Sequence, residues 1–163
     1  MNHNNIEIER KFLVINDSYK ALAVAKHHIV QGYLCQLPGR TVRVRIWDND
    51  AYLTIKVKKD DGSLARHEWE FPIPVETAKE MLEHPLKPLL EKTRWICPGS
   101  LNGIPADDDK GNDLIWEVDE FEGRKAGLVI AEIELESDDQ HFEKPPFIGA
   151  EVTGDPAYYN ANM

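Results

Sequence analysis

The sequence predicts a mainly β (α+β) fold, an eight-stranded antiparallel sheet closed into a barrel, with a few flanking helices. Three observations predict it. About eight segments alternate apolar and charged residues, which is the period of a strand with two different faces. Most links between these segments are short, which favours antiparallel pairing of neighbours, and only two or three segments have helical character. Such a sheet forms a sandwich or a closed barrel, and eight strands can close.

The predicted strands follow one another closely along the chain. Asn49 and Asp50 favour a tight turn, so the segments on either side form a hairpin. Pro72 and Pro74 end the fifth segment, because proline has no backbone N–H to donate to a sheet. The strands are predicted at residues 6–14, 29–36, 40–48, 51–59, 64–73, 89–98, 113–123 and 127–137. Residues 151–163 are predicted to be a strand followed by a turn or a short helix.

Two helices and one long loop complete the predicted elements. Asp17 and Ser18 can cap a helix over residues 19–28. The spacing of apolar residues predicts a second helix over residues 74–84. The acidic run at 107–113 is predicted to be a solvated loop.

Length and composition indicate one folded domain spanning residues 1–163. The chain is 42% hydrophobic and 29% charged, which is typical of a globular protein. Its net charge of -10 argues against a nucleic-acid partner, since affinity for phosphate backbones needs a basic surface. No apolar run is long enough for a membrane span, and the polar start MNHNN precedes no signal-peptide core, so we expect a cytoplasmic protein without a membrane partner.

The first strand shows the pattern on which the functional interpretation depends. In IEIERK, at residues 6–11, the side chains of Glu7, Glu9 and Lys11 are two residues apart and share one face. The later strands repeat this charged face. If it points into a barrel, the lumen holds both acidic and basic side chains: Glu7, Glu9, Glu68, Glu70, Glu117, Asp119, Glu132, Glu134 and Glu136 with Lys11, Arg43, Arg45, Lys56, Lys58, Arg66, Lys92 and Arg94.

The alternative is a sandwich whose outer faces carry these charges in solvent. An ordinary outer face would mix Thr, Ser and Gln with the charged residues, whereas here charged residues fill successive positions of one face. We therefore expect the charged face inside a barrel. The tryptophans are expected on the opposite face under helices or loops, because their side chains are usually buried: Trp47, Trp69, Trp95 and Trp116.

A lumen with both signs of charge suits a ligand that also has two parts. Ions in a dry interior would cost tens of kcal/mol, roughly, so such a lumen must be hydrated and paired. Arginine and lysine bind a polyanion, and carboxylates bind a hard divalent cation. Mg²⁺ or Mn²⁺ with a polyphosphate is that combination.

The same segments resemble a known family. IEIERKFLV is similar to the ExExK signature of the CYTH domain, the triphosphate tunnel metalloenzymes, which include inorganic triphosphatases, thiamine triphosphatases and class IV adenylate cyclases. The resemblance continues in order through TVRVRI, LTIK, RHEWE, KTRW, AEIELE and GAEVTGDPAYYNANM, and covers essentially the whole chain. It implies an eight-stranded tunnel that binds a triphosphate together with a divalent metal.

By position, the resemblance also implies roles for individual residues. The metal ligands would be Glu7, Glu9, Glu132 and Glu134. The phosphate-binding residues would be Lys11, Arg43, Arg45, Lys56, Lys92 and Arg94. One position departs from the family, because many relatives carry a lysine where this chain has Ala150. One phosphate contact is then missing unless Lys144 or Arg124 replaces it from a loop.

The predicted reaction is hydrolysis of inorganic tripolyphosphate or a nucleoside triphosphate. Hydrolysis needs a water aimed in line at the terminal phosphorus, with cations on the equatorial oxygens. The candidates to activate that water, alone or with a second metal, are Glu68, Glu70, Glu117 and Asp119. The enzyme alternative is an adenylate cyclase that makes cyclic AMP, although no purine-specific motif is present. The alternative that is not an enzyme is a non-catalytic protein that binds polyphosphate or a nucleotide.

Overall fold

The computed structural model describes residues 5–99 and 114–163, and its sheet is the closed antiparallel barrel that the sequence predicts. Alternating apolar and charged residues place one face of each strand toward the lumen and the other toward a shell of apolar side chains. The strands are β1 (Ile6–Val14), β2 (Ala25–Leu37), β3 (Arg40–Trp47), β4 (Asp50–Lys58), β5 (Arg66–Ile73), β6 (Leu90–Pro98), β7 (Ile115–Phe121), β8 (Val129–Leu135) and β9 (Ile148–Glu151).

Eight strands form the barrel, in the order β5-β4-β3-β2-β6-β7-β8-β1. The ring closes where β1 pairs with β5, with Glu7 opposite Arg66. The far end of β1 pairs instead with β9, where Phe12 lies opposite Glu151. β1 is thus held on both sides along its length, which fixes the direction of its charged side chains.

Both predicted helices are present, and both are shorter than predicted. α1 (Tyr19–Leu22) ends six residues before the predicted end at residue 28, so that prediction is wrong beyond Leu22. Residues 25–28 belong to β2, where Ala25 lies opposite Ile96 and His28 opposite Thr93, because the edge of β6 offers these residues a complete set of backbone hydrogen bonds. The second predicted helix is confirmed as α2 (Val75–Met81).

Short 3₁₀ turns complete the described chain. One links β7 to β8 at Gly123–Lys125, and two follow β9 at Pro156–Tyr158 and Asn160–Asn162. The 3₁₀ turns confirm the predicted turn or short helix, but the strand predicted to begin at residue 151 is wrong in position, because β9 lies earlier and ends at Glu151. The acidic loop predicted at 107–113 lies outside the described residues. Within the described ranges, neither α-helix has the length or apolar character needed to cross a bilayer.

Most of the apolar core packs against the outside of the barrel. Phe12, Trp116 and Ile133 project outward from β1, β7 and β8, and each is at most 1% exposed. Tyr19 of α1 and Phe147 cover this cluster. A second outer cluster packs Val44 and Ala51 of the β3–β4 hairpin against Ala78 and Leu82 of the α2 segment. Because these apolar side chains pack on the outside of the barrel, the polar face of each strand lines the lumen.

The inward face is not wholly ionic. Leu90, Phe121 and Ile130 have the same parity as the neighbouring lumen residues and pack with Met163, closing off part of the interior. These four side chains form an apolar plug beside the charged lumen.

The tryptophan prediction is confirmed for three residues in the sense that Trp69, Trp95 and Trp116 alternate with the lumen residues of their strands. It is wrong for Trp47. This residue follows Arg45 by two positions and therefore shares its face, and the Arg45 Cζ atom lies 4.9 Å from the centre of the Trp47 ring. The strand period itself, applied through the end of β3, places this ring with the lumen cations.

Candidate active site

The lumen consists of two cavities that meet in the middle of the barrel. Their volumes are about 780 and 760 Å³. Strand parity brings the predicted residues together here, since every predicted site residue except Asp119 lines one or both cavities. The side chains shared by both cavities are Glu9, Arg43, Lys56, Arg94 and Glu132.

The two cavities carry opposite charge. We call the first the basic end, because its wall contains nine cationic side chains against Glu9 and Glu132. The cations are Lys11, Arg40, Arg43, Lys56, Lys58, Arg66, Lys87, Lys92 and Arg94. We call the second the acidic end, because its wall has twice as many carboxylates as cations. The carboxylates are Glu7, Glu9, Glu68, Glu70, Glu117, Glu132, Glu134 and Glu136.

The glutamates of the ExExK segment face the lumen and pair with basic residues of β4 and β5. Lys56 Nζ donates to both oxygens of Glu7, at 2.8 and 2.7 Å, and lies 3.3 Å from Glu68. Arg66 Nη2 donates to Glu9 at 2.9 Å. Each of the two glutamates therefore lies at the tunnel wall and is paired with a cation that a ligand could compete with.

Asp119 has a different position from the other three predicted catalytic carboxylates. It is 1% exposed and lines neither cavity. It accepts hydrogen bonds from Lys92 Nζ at 2.5 Å and from Arg94 Nε and Nη2 at 2.7 and 2.8 Å. Burial alone would raise the pKa of Asp119, but the Arg94 and Lys92 charges outweigh it and hold the pKa below its usual value. Asp119 thus lies behind two cations that face the lumen.

Three arginines converge near the middle of the tunnel, and they are unequally paired: Arg94 contacts both Glu117 and Asp119, whereas Arg43 and Arg45 share Glu70. Burial, together with the Arg43 and Arg94 charges, lowers the pKa of Arg45 to about 10. Glu70 accepts from Arg45 Nη2 at 3.1 Å, but the buried Nε atoms of Arg43 and Arg45 have no hydrogen-bond partner among the described residues. Buried donors of this kind are normally satisfied, so the cluster is arranged for an anion.

The acidic end has the opposite imbalance. Burial and the Glu7 and Glu117 carboxylates raise the pKa of Glu134 to about 7. Burial and the Glu132 and Glu7 charges also raise the pKa of Glu9. Carboxylates that resist ionisation because of their neighbours would be relieved by a cation, and carboxylate oxygens are the ligands that Mg²⁺ and Mn²⁺ prefer. The residues therefore fit a hard divalent cation.

Another group of possible metal ligands lies outside the tunnel. The ligand atoms of His28, Glu91 and Glu122 are all within 4.8 Å of one another. His28 and Glu91 have side chains about half exposed, and Thr93, opposite His28 in the sheet, donates to Glu122 at 2.7 Å. In the described parts of the chain, the tunnel carboxylates form no comparably tight group of three, because most of them are drawn toward a lysine or arginine.

Sequence reasoning missed several residues of the lumen. Tyr33 and Lys87 line the basic end, and Asn160 reaches it from the segment after β9. Gln31 is completely buried and donates to Asn160 Oδ1 at 3.2 Å. The parity of β2 could have indicated Gln31 and Tyr33, which are two residues apart. No strand pattern leads to Asn160 or Lys87, because both lie outside the strands.

The two loop residues that could replace a lysine at Ala150 are directed elsewhere. Lys144 Nζ lies 5.2 Å from the ring of Phe12, which faces away from the lumen. Arg124 Nη2 donates to the backbone oxygens of Met163 and Pro88, at 2.8 and 3.2 Å. Neither residue lines either cavity.

Comparison with known proteins matches this architecture to curated relatives. One relative, named "Inorganic triphosphatase" from Acetivibrio thermocellus, is 43% identical over 158 residues, covering 96% of this chain and 92% of the relative. A second, from Nitrosomonas europaea and also named "Inorganic triphosphatase", is 34% identical and covers 94% of this chain and 93% of the relative.

Solved structures show the same fold. A crystal structure of an inorganic triphosphatase superposes with a TM-score of 0.60 at 29% identity, over 96% of this chain and 92% of that one. A putative adenylyl cyclase from Hippeastrum, described as having a dominant triphosphatase activity, superposes with a TM-score of 0.55 at 17% identity, over 80% of each chain, and shows the fold alone. The family model of the CYTH domain matches residues 5–159. The chain therefore belongs to the CYTH domain family.

Proposed function

We propose that the protein is a divalent-metal-dependent triphosphatase that hydrolyses inorganic tripolyphosphate or a nucleoside triphosphate inside the tunnel. The observation that carries this proposal is the double charge imbalance of the lumen. The buried Nε donors of Arg43 and Arg45 have no hydrogen-bond partner among the described residues, while Glu134 lies among carboxylates whose charges raise its pKa. A triphosphate with its metal satisfies both. The names of the two curated relatives support the same activity.

The proposed metal ligands are the predicted set Glu7, Glu9, Glu132 and Glu134. All four line the acidic end. Bound Mg²⁺ or Mn²⁺ would supply positive charge to the phosphate oxygens as the bond to the leaving group breaks. Lys56, released from Glu7, is free to contact phosphate, since both groups lie at the junction of the two cavities.

The proposed phosphate clamp is formed by Lys11, Arg43, Arg45, Lys56, Lys92 and Arg94. These cations stabilise the negative charge that moves toward the leaving oxygen during phosphoryl transfer. Arg94 is held by Asp119 before substrate arrives, so this part of the clamp needs little reorganisation at the moment of reaction.

The water that attacks the terminal phosphorus needs a carboxylate to accept its proton. Glu68, Glu70 and Glu117 remain the candidates, because all three line the acidic end. Attack forms a new P–O bond, breaks the anhydride bond and releases orthophosphate and, from tripolyphosphate, pyrophosphate. Asp119 is better suited to hold Lys92 and Arg94 than to meet the water, since it lines neither cavity.

The test is release of orthophosphate from tripolyphosphate, ATP and thiamine triphosphate by the purified protein, with Mg²⁺, with Mn²⁺ and with a chelator. We expect divalent-dependent release from tripolyphosphate. Saturable binding of tripolyphosphate without any product would identify a non-catalytic polyphosphate binder instead.

A further inference from the structure

A side chain from the segment after β9 lies in the wall of the basic end and contacts a residue of the proposed phosphate clamp. The Oδ1 atom of Asn160 accepts hydrogen bonds from Lys92 Nζ at 3.0 Å and from Gln31 Nε2 at 3.2 Å. Lys92 and Gln31 are 1% and 0% exposed. A single oxygen therefore serves two buried donors, one of which belongs to the proposed phosphate clamp.

The geometry of the Lys92 ammonium group shows what this contact can do. An ammonium has three N–H donors arranged tetrahedrally. Asp119 accepts one at 2.5 Å and Asn160 accepts a second at 3.0 Å. Within residues 5–99 and 114–163 no third hydrogen-bond acceptor meets it, the centre of the Phe121 ring lies 5.5 Å away, and Lys92 lines the basic end. Because the ammonium is tetrahedral, fixing two of its N–H groups also fixes the direction of the third.

The segment that carries Asn160 is itself held in place. Met163 is 7% exposed and belongs to the apolar plug with Leu90 and Phe121. Lys87 Nζ donates to the Ala161 carbonyl at 3.2 Å, and Gln36 Nε2 donates to Asn162 Oδ1 at 2.6 Å. Asn160 is therefore a fixed acceptor, not a side chain that follows Lys92.

We propose that Asn160 is a positioning residue, whose side-chain oxygen orients the Lys92 ammonium so that its remaining N–H points into the basic end toward a substrate phosphate. Without this oxygen the ammonium turns toward Asp119 alone, and its third donor loses a defined direction. This inference rests on the proposed triphosphatase function, since Lys92 is taken to contact phosphate.

The first experiment reads the position of the ammonium directly and needs no turnover. Selective ¹⁵N labelling of lysine gives an NMR signal from the Lys92 NH₃⁺ group, assigned by its loss in Lys92→Met. We expect a slowly exchanging signal in the wild-type protein, its broadening or loss in Asn160→Leu, and its recovery in Asn160→Asp, which keeps the acceptor oxygen. Asn16→Leu is the matched control, because Asn16 lines neither cavity and bonds instead to Ser18 and the Pro146 carbonyl.

The second experiment is a double-mutant cycle in tripolyphosphate hydrolysis. We expect Asn160→Leu to lower kcat/KM by roughly 10- to 100-fold, as misplacement of a reacting group does. In a Lys92→Met background the same substitution should have almost no further effect, because a residue that acts through Lys92 has nothing left to position. Asn160→Ala replaces Asn160→Leu if the leucine variant does not fold.

An unchanged Lys92 signal in Asn160→Leu would overturn the positioning role. So would a double variant in which kcat/KM falls by the product of the losses measured for Asn160→Leu and Lys92→Met alone. Absence of hydrolysis by the wild-type protein would instead refute the proposed function, while the NMR experiment would still decide whether Asn160 orients Lys92.

Discussion

The two ends of the tunnel differ in charge although the same strands build both. The order of residues along each strand sets the difference: β1 presents Glu7 to the acidic end, Glu9 to both cavities and Lys11 to the basic end. β8 contributes Glu134 to the acidic end and Glu132 to the shared region. A protein with a net charge of -10 thereby forms a strongly cationic pocket, so net charge describes its surface poorly. The order Glu-x-Glu-x-Lys in β1 therefore makes the tunnel wall change from acidic to basic along the tunnel axis.

The largest expected effect is at the acidic end. Glu9→Gln removes a proposed charged oxygen ligand but keeps nearly the same volume, so we expect divalent-dependent turnover to be abolished with little change in folding. Turnover is measured at limiting Mg²⁺, and folding by thermal unfolding. Glu151→Gln is the control, because Glu151 pairs with Arg10 on the outside of the barrel. Near wild-type turnover in Glu9→Gln would show that this glutamate is structural.

The next effect is expected from the cationic clamp. Arg43→Ala should cost about 2 to 5 kcal/mol in kcat/KM, as removal of one partner from a buried charged contact does. Arg10→Ala removes a partly exposed arginine on the outside of the barrel and should cost less than about 1 kcal/mol. Steady-state kinetics with tripolyphosphate measures both. Equal losses of kcat/KM in the two variants would show that the lumen arginine has no special role in turnover.

A smaller effect is expected in the pH dependence of stability, and Glu134 is responsible for it. Its pKa rises from 4.5 to about 7 on folding, so the ionised form is disfavoured in the folded protein. The destabilisation is absent below pH 4.5, grows as the pH rises toward 7 and is complete above it. Without divalent cation, the wild-type free energy of unfolding should therefore fall over this window relative to Glu134→Gln, by about 1 kcal/mol after solvent screening.

The control for this prediction is divalent cation itself. Denaturant unfolding at pH 5 and pH 8 should show that Mg²⁺ stabilises the wild-type protein more at pH 8, because the carboxylates are then ionised. Identical pH profiles for wild type and Glu134→Gln would remove Glu134 from the account of the acidic end.

The smallest effect separates two tryptophans on opposite faces of the sheet. The Trp47 ring lies 4.9 Å from Arg45 Cζ and 5.5 Å from Arg94 Cζ, within the range of a cation–π contact. We expect Trp47→Leu to lower kcat/KM by about 1 kcal/mol through these arginines. Trp69→Leu, on the outer face, should leave kcat/KM nearly unchanged in the folded protein. The reverse order would return Trp47 to a purely structural role.

The barrel could be predicted from the sequence because two-residue periodicity is local. Parity assigns Glu7 or Arg43 to a face without knowledge of any partner. Trp47 obeyed the same rule, and the error there came from treating every tryptophan as an outer-face residue. The helix predicted at 19–28 failed because residues 25–28 gain more from pairing with β6 than from a marginal helix.

The rest of the site depends on contacts between distant segments. Asn160 meets Lys92 across 68 positions of sequence, and no local pattern encodes that contact. The burial of Asp119 behind Lys92 and Arg94 likewise follows from three-dimensional packing, since its parity alone matches that of Glu117. Strand periodicity therefore gives the face of a residue, but not its depth or partners.

The most direct test of the central claim is a competition between inorganic tripolyphosphate and ATP, with orthophosphate, pyrophosphate and cyclic AMP resolved. A tunnel that reads only the phosphate chain and its metal should hydrolyse tripolyphosphate at least as efficiently as ATP, and each compound should inhibit turnover of the other at one shared site. We predict divalent-dependent release of orthophosphate from tripolyphosphate and no cyclic AMP from ATP. Cyclic AMP as the main product of ATP, with tripolyphosphate left intact, would contradict this account.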